Sequence, residues 1–200
     1  MYKRKTKVQR AKHKIVKILA PNYIEEYCNA GQFIEQCKEC SNYGNMWACP
    51  PFDYDTLATV SDYKYAHIIG SQIFISEATR YAPADATEHN TLSYQIMEQA
   101  RSGIDGQLLG LENRYSGSLC FFAGSCLLCP KEECTRLTNS PCAHPTKMRP
   151  SLEAYGFDIS KTTLELLGIE LKWSTGLVLP PYFTFVSALF TNHKIDNLEL

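Results

Sequence analysis

Seven of the nine cysteines in this chain of 200 residues fall into two knots, Cys37-x2-Cys40-x8-Cys49 and Cys126-x2-Cys129-x4-Cys134-x7-Cys142. This grouping constrains the fold more than any other feature. A thiolate is a soft metal ligand, and two cysteines bracketing two residues grip one metal or one cluster from a tight turn. Whatever fold the chain adopts must present two cysteine-rich loops without tearing its core.

The second knot supplies four thiols from one loop of 17 residues, enough for a tetrathiolate site. Its spacing is a loosened form of the C-x2-C-x2-C-x3-C-P run that wraps a cubane in bacterial ferredoxins. Zinc is the rival, since Cys126-x2-Cys129 has knuckle form. Cys134 and Cys142, however, arrive singly, as cubane ligands often do. The reading is therefore a [4Fe-4S] cluster on Cys126, Cys129, Cys134 and Cys142, with zinc as the alternative. His144 already has four thiols beside it, so its expected role is to cap the loop or bond a sulfur. Lys131, Arg136, Lys147 and Arg149 surround the knot and are positioned in sequence to offset thiolate charge.

The first knot offers only three thiols, Cys37, Cys40 and Cys49, as ligands of a metal or of a second cluster. The fourth position falls to Cys28, to Cys120, to a cysteine of the second knot, or to a substrate; an open position would make the site catalytic. Cys28 and Cys120 read first as small core residues. Tyr43 and Trp47 read as packing across a turn at Gly44.

The surrounding sequence predicts an α+β fold, a mostly antiparallel sheet covered by two or so helices with the cysteine loops at one end. Strands are predicted at Tyr65–Ile75, Ser118–Ala123, Ile169–Trp173 and Tyr182–Thr191, the last two as a late hairpin. A helix is predicted from Thr87 to about Arg101, led by a capping signal at Asp85 and Glu88. It is expected to break at Gly103, Gly106 and Gly110, each costing about 1 kcal/mol against alanine. Ser151–Gly156 reads as a helical turn, and Asp158–Leu167 as a helix closed by Gly168.

Residues 1–20 read as a basic N-terminal segment and 21–200 as a single cysteine-rich metal-binding domain. The first 17 residues hold eight of the 20 Lys and Arg and none of the 21 Asp and Glu. They read as a solvated tail or a charged first strand. An arm for nucleic acid or for a protein partner is the alternative, and a dedicated nucleic-acid reader is disfavoured because Tyr2 is its only stacking residue. No export signal is apparent, and the apolar run Phe183–Phe190 is far shorter than the roughly 20 residues a membrane helix needs. The thiols are therefore expected in a reducing cytosol, as ligands rather than disulfides.

The blocks CKECSNYGNMWACPPF, AGSCLLCPKEEC and PCAHPTKMRPSLEAYGFDI, in this order, resemble a bacterial and archaeal family of uncharacterised, predicted metal-binding proteins, from about Cys28 to the C-terminus. The resemblance implies the same seven cysteines as ligands. It also covers the Arg149-Pro-Ser-Leu-Glu-Ala-Tyr-Gly block, to which it attaches no role. The four-residue gap before Cys134 is longer than the C-x2-C-x2-C spacing the resemblance leads one to expect. The function expected is an iron-sulfur protein with one or two clusters in electron transfer or reductive chemistry, working with a redox protein partner. The alternative is a zinc-stabilised binding module with a basic arm.

Overall fold

A computed structural model of the chain describes residues 10–200; the basic segment's first nine residues lie outside the described residues. Four strands, β1 (Arg10–Leu19), β2 (Tyr65–Phe74), β3 (Leu119–Phe121) and β4 (Tyr182–Thr191), form one antiparallel sheet in the order β1-β2-β4-β3. The basic stretch from Arg10 onward is thus a charged edge strand, with Lys12, Lys14 and Lys17 exposed along it. Charged side chains on an edge discourage pairing with another chain.

The helices are α1 (Ala20–Tyr27), α2 (Ala30–Lys38), α3 (Ala58–Ser61), α4 (Glu77–Arg80), α5 (Ala86–Arg114) and α6 (Ile159–Lys161), the last running on through a π-helical turn at Thr162–Leu166. Alternation along the strands gives the sheet a core on each face. Ala66, Ile68, Val186, Ala188 and Phe190 pack with Tyr23 of α1, Leu152, Phe157 and Leu167. On the opposite face, Ile69, Ile73 and Leu189 pack with Ile96, Ile104, Leu108 and Leu111 of α5.

Helix α5 begins where the sequence indicates. Asp85 Oδ1 accepts the Glu88 N–H at 2.8 Å and Glu88 Oε2 accepts the Ala84 N–H at 2.9 Å. It does not break at the glycines: it continues for 29 residues. Gly103, Gly106 and Gly110 lie on its exposed side, while the stripe Ile96, Ala100, Ile104, Leu108, Leu111 stays buried. Burying each large aliphatic side chain is worth about 2 kcal/mol, which exceeds the cost of each glycine.

Ile169–Trp173 is not a strand. It runs over the sheet as an unpaired connection with Trp173 78% exposed, and the hairpin is reduced to a single bridge between Thr175 and Val178. The reason is a close approach. Leu167 and Ile169 lie directly on Gly70 of β2, where an added Cβ would come within 2.7 Å of Ile169 Cδ1. The segment therefore sits on the sheet rather than beside it. The predicted strand at Ser118–Ala123 shortens to β3, after which Phe122 bridges Ser151.

Candidate metal centre

The first knot hangs from the end of α2. Asn29 caps that helix through Oδ1 to the Gln32 N–H at 3.2 Å, and its last turn carries Cys37. Cys40 follows one turn later, exposed, and Cys49 precedes Pro50 and Pro51, which are joined by a cis peptide bond. The second knot begins where β3 ends, after Gly124 and Ser125. Cys134 joins two 3-10 turns, Lys131–Glu133 and Thr135–Thr138, and Cys142 lies on the way to the Arg149 block. The His144 backbone N–H donates to Cys142 Sγ at 3.4 Å, so the sulfur contact comes from the main chain of His144.

The two knots, some 85 residues apart in sequence, are latched to one another. The Arg136 guanidinium donates to the carbonyls of Met46 at 2.7 Å, Cys49 at 2.5 Å and Pro51, and lies 5.3 Å from the centre of the Trp47 ring. Trp47 Nε1 donates in return to Thr135 Oγ1 and the Ser140 carbonyl, each at 3.2 Å. Asn42 Nδ2 reaches Ser125 Oγ at 2.7 Å, and Lys131 Nζ reaches Ser41 Oγ at 2.6 Å. Tyr43 borders a cavity beside Cys37, whereas Trp47 is part of the latch.

Of the four cations around the second knot, Arg149 does not answer thiolate charge there. Its guanidinium forms a bidentate pair with Glu112 of α5, and Glu112 Oε1 also accepts the Cys120 N–H at 2.9 Å. The carboxylate neutralises Arg149, so its part in the block is to pin the chain leaving Cys142 to α5.

The thiols sense one another in the order the knots imply. Burial pushes the Cys49 thiol up to about 12, helped by the neighbouring thiols of Cys40, Cys37 and Cys126, while Arg136 opposes the shift. Burial likewise raises Cys126, with Cys129, Cys142 and Cys134 adding to it and the Leu128 backbone N–H opposing. Cys37 is raised by burial, Cys40 and Glu153. A metal ion inverts this logic, because it deprotonates a coordinating thiol outright.

Cys28 and Cys120 stand apart. The Cys28 thiol donates to the Tyr155 carbonyl at 3.6 Å, and Cys120 is buried in the core beneath α5. Among the described residues, no three His, Cys, Asp or Glu side chains close on a single point tightly enough to hold a metal ion. The three thiols of the first knot instead border one cavity of about 160 Å³, which Gly124, Ser125 and Glu153 also line. Soft sulfur donors around a space, with an unpartnered carboxylate oxygen of Glu153 nearby, fit a metal or cluster. Sequence reasoning missed Glu153 and Glu112, and placed Arg136 beside the second knot without its partners in the first, because single charged residues carry no spacing signal.

The latch makes a specific expectation. Arg136→Ala removes hydrogen bonds from a charged donor to three carbonyls; such bonds contribute roughly 1.5–3 kcal/mol each, and less where the group is half-exposed and screened, as Arg136 is. A loss of about 2 kcal/mol in a denaturant titration is expected. Lysine should fail to restore it, since an ammonium cannot reproduce the fork.

Among the described residues, no helix is long and apolar enough to cross a membrane. No curated protein and no solved structure matches the chain. A family described as predicted metal-binding protein (DUF2284) matches residues 23–189, which include both knots, the Arg149 block and most of the sheet. With five-sixths of its length inside that match, the chain belongs to this family of predicted metal-binding proteins.

Proposed function

We propose that the chain is an iron-sulfur protein of electron transfer or reductive chemistry in a reducing cytosol. The second knot carries a [4Fe-4S] cluster on Cys126, Cys129, Cys134 and Cys142, and the first holds a metal or second cluster on Cys37, Cys40 and Cys49. The observation that carries this reading is the latching of a four-thiol loop to a three-thiol loop through Arg136, Trp47 and Asn42. Two centres side by side suit the passage of electrons between them and on to a redox protein partner. When bound, a cluster supplies one-electron transfer at a potential set by net charge and hydrogen bonds to its sulfurs. The chain's part includes such a bond, from the His144 N–H to Cys142 Sγ. Arg136 contributes a fixed positive charge between the loops.

The test is anaerobic purification followed by iron, acid-labile sulfide and zinc analysis. Iron and sulfide in near-equal amounts, about four or more of each per chain, are expected for at least one cubane. Stoichiometric zinc without sulfide would make the protein a zinc-stabilised module instead.

A further inference from the structure

We infer that Glu153 is the fourth donor of the first knot, its carboxylate completing a three-thiolate, one-carboxylate metal site with Cys37, Cys40 and Cys49. The inference rests on the proposed reading that the first knot holds a metal. Its grounds are placement around one cavity rather than a preformed coordination sphere, since among the described residues no three such donors close on one point. Glu153 opens the 3-10 turn Glu153–Tyr155 and borders the same cavity as all three first-knot thiols. Its Oε2 has no accessible surface and no hydrogen-bond partner.

A buried polar atom without a partner costs roughly 1–3 kcal/mol, more for a charged group, so an enclosed, unpartnered carboxylate oxygen on a residue that borders the cavity calls for a ligand. The other candidates for the fourth position are engaged elsewhere. Cys28 donates to Tyr155, Cys120 lies in the core beneath α5, and Cys126 does not border the cavity. Arg101, buried on α5, also borders a neighbouring cavity with Glu153 and ties to the Ser125 carbonyl and Asp105, placing a fixed cation near the carboxylate.

The ligand class follows from the donors. Three sulfurs and one oxygen suit zinc, cobalt or an iron of a cluster, metals that accept both donor types. A carboxylate is the most readily displaced of the four, so the first knot would be the site that exchanges a ligand, while the all-thiolate second knot stays closed.

Cobalt(II) titration of the anaerobic, metal-free full-length chain tests this, with thiolate-to-cobalt absorption as the readout. A Cys40→Ser variant records the second knot's contribution for subtraction. Glu153→Gln is expected to weaken the first-site equivalent about 10-fold or more and to shift its ligand-field bands. Glu153→Cys is expected to rescue binding with stronger charge-transfer absorption, a gain that a purely structural role would not give. Circular dichroism of each variant checks the fold, and Glu153→Asp, which keeps the carboxylate, is expected to preserve the band pattern. A Glu153→Gln spectrum and affinity equal to wild type overturns the inference and leaves the metal reading of the first knot standing. A wild-type chain with no first-site equivalent overturns both.

Discussion

Gly156→Ala is expected to lower stability by about 3 kcal/mol or more, the sum of a left-handed backbone cost of roughly 1–2 and overpacking of 1–3 kcal/mol. Gly156 has φ +88°, and an added Cβ would lie 2.4 Å from Ala30 Cα and 2.9 Å from Ala30 N. Both are backbone atoms, so neither can swing aside. The collision falls on a junction that holds the first knot in place. The Gly156 carbonyl accepts the Asn29 N–H at 2.9 Å, the Asp158 N–H donates to the Tyr27 carbonyl at 2.7 Å, and Cys28 bridges Phe157. Displacing Ala30 shifts the start of α2, whose last turn carries Cys37. For a chain of this size the melting temperature should fall by about 6–12 °C, with metal retention lost alongside. Gly110→Ala is the control: it lies in a helix, its added Cβ meets nothing within 4 Å, and it should gain about 0.5–1 kcal/mol. Equal melting temperatures for the two variants would contradict the packing described at Gly156.

Glu112→Ala is the second large effect, at about 3–5 kcal/mol, because it strands a charge that the fold has largely removed from water. The side chains of Arg149 and Glu112 are only 18% and 10% exposed, and the pair is bidentate. The same carboxylate accepts the backbone N–H of Cys120, so its removal also leaves a donor in β3 without its partner. Replacing both partners by apolar residues of similar volume, Glu112→Leu with Arg149→Met, should recover much of the loss, as neutralised buried pairs commonly do. A single-variant loss below about 1 kcal/mol in urea would show that solvent screens the pair as it does exposed ones. The loss should also reach the second knot, since Arg149 anchors the chain seven residues after Cys142.

These two positions show where the sequence was readable and where it was not. The knots were legible because ligand spacing is local, and the strands at Tyr65 and Tyr182 because β-branched and aromatic content is local. The capping of α5 was legible for the same reason. Its passage through Gly103, Gly106 and Gly110 was not, because local propensity argues for a break while burial of Ile104, Leu108 and Leu111 decides the outcome. Ile169–Trp173 has strand composition, yet whether it pairs depends on Gly70, a residue 99 positions away that lets it lie flat on the sheet. Arg136 and Glu112 find their partners across 85 to 90 and 37 residues respectively. The Arg149 block, conspicuous in sequence but without an evident role, resolves into separate tasks: Arg149 anchors, Leu152 fills the core, Glu153 borders the first-knot cavity and Gly156 admits α2.

On the proposed reading, the second of the two latched cysteine knots holds a [4Fe-4S] cluster on Cys126, Cys129, Cys134 and Cys142. The most direct measurement is iron and acid-labile sulfide per chain after anaerobic isolation, made on the native chain and on Cys126→Ser/Cys129→Ser. The native chain is expected to hold about four or more of each, and the double variant to lose at least the four belonging to the second knot. Zinc in place of iron, or iron and sulfide unchanged in the double variant, would contradict it.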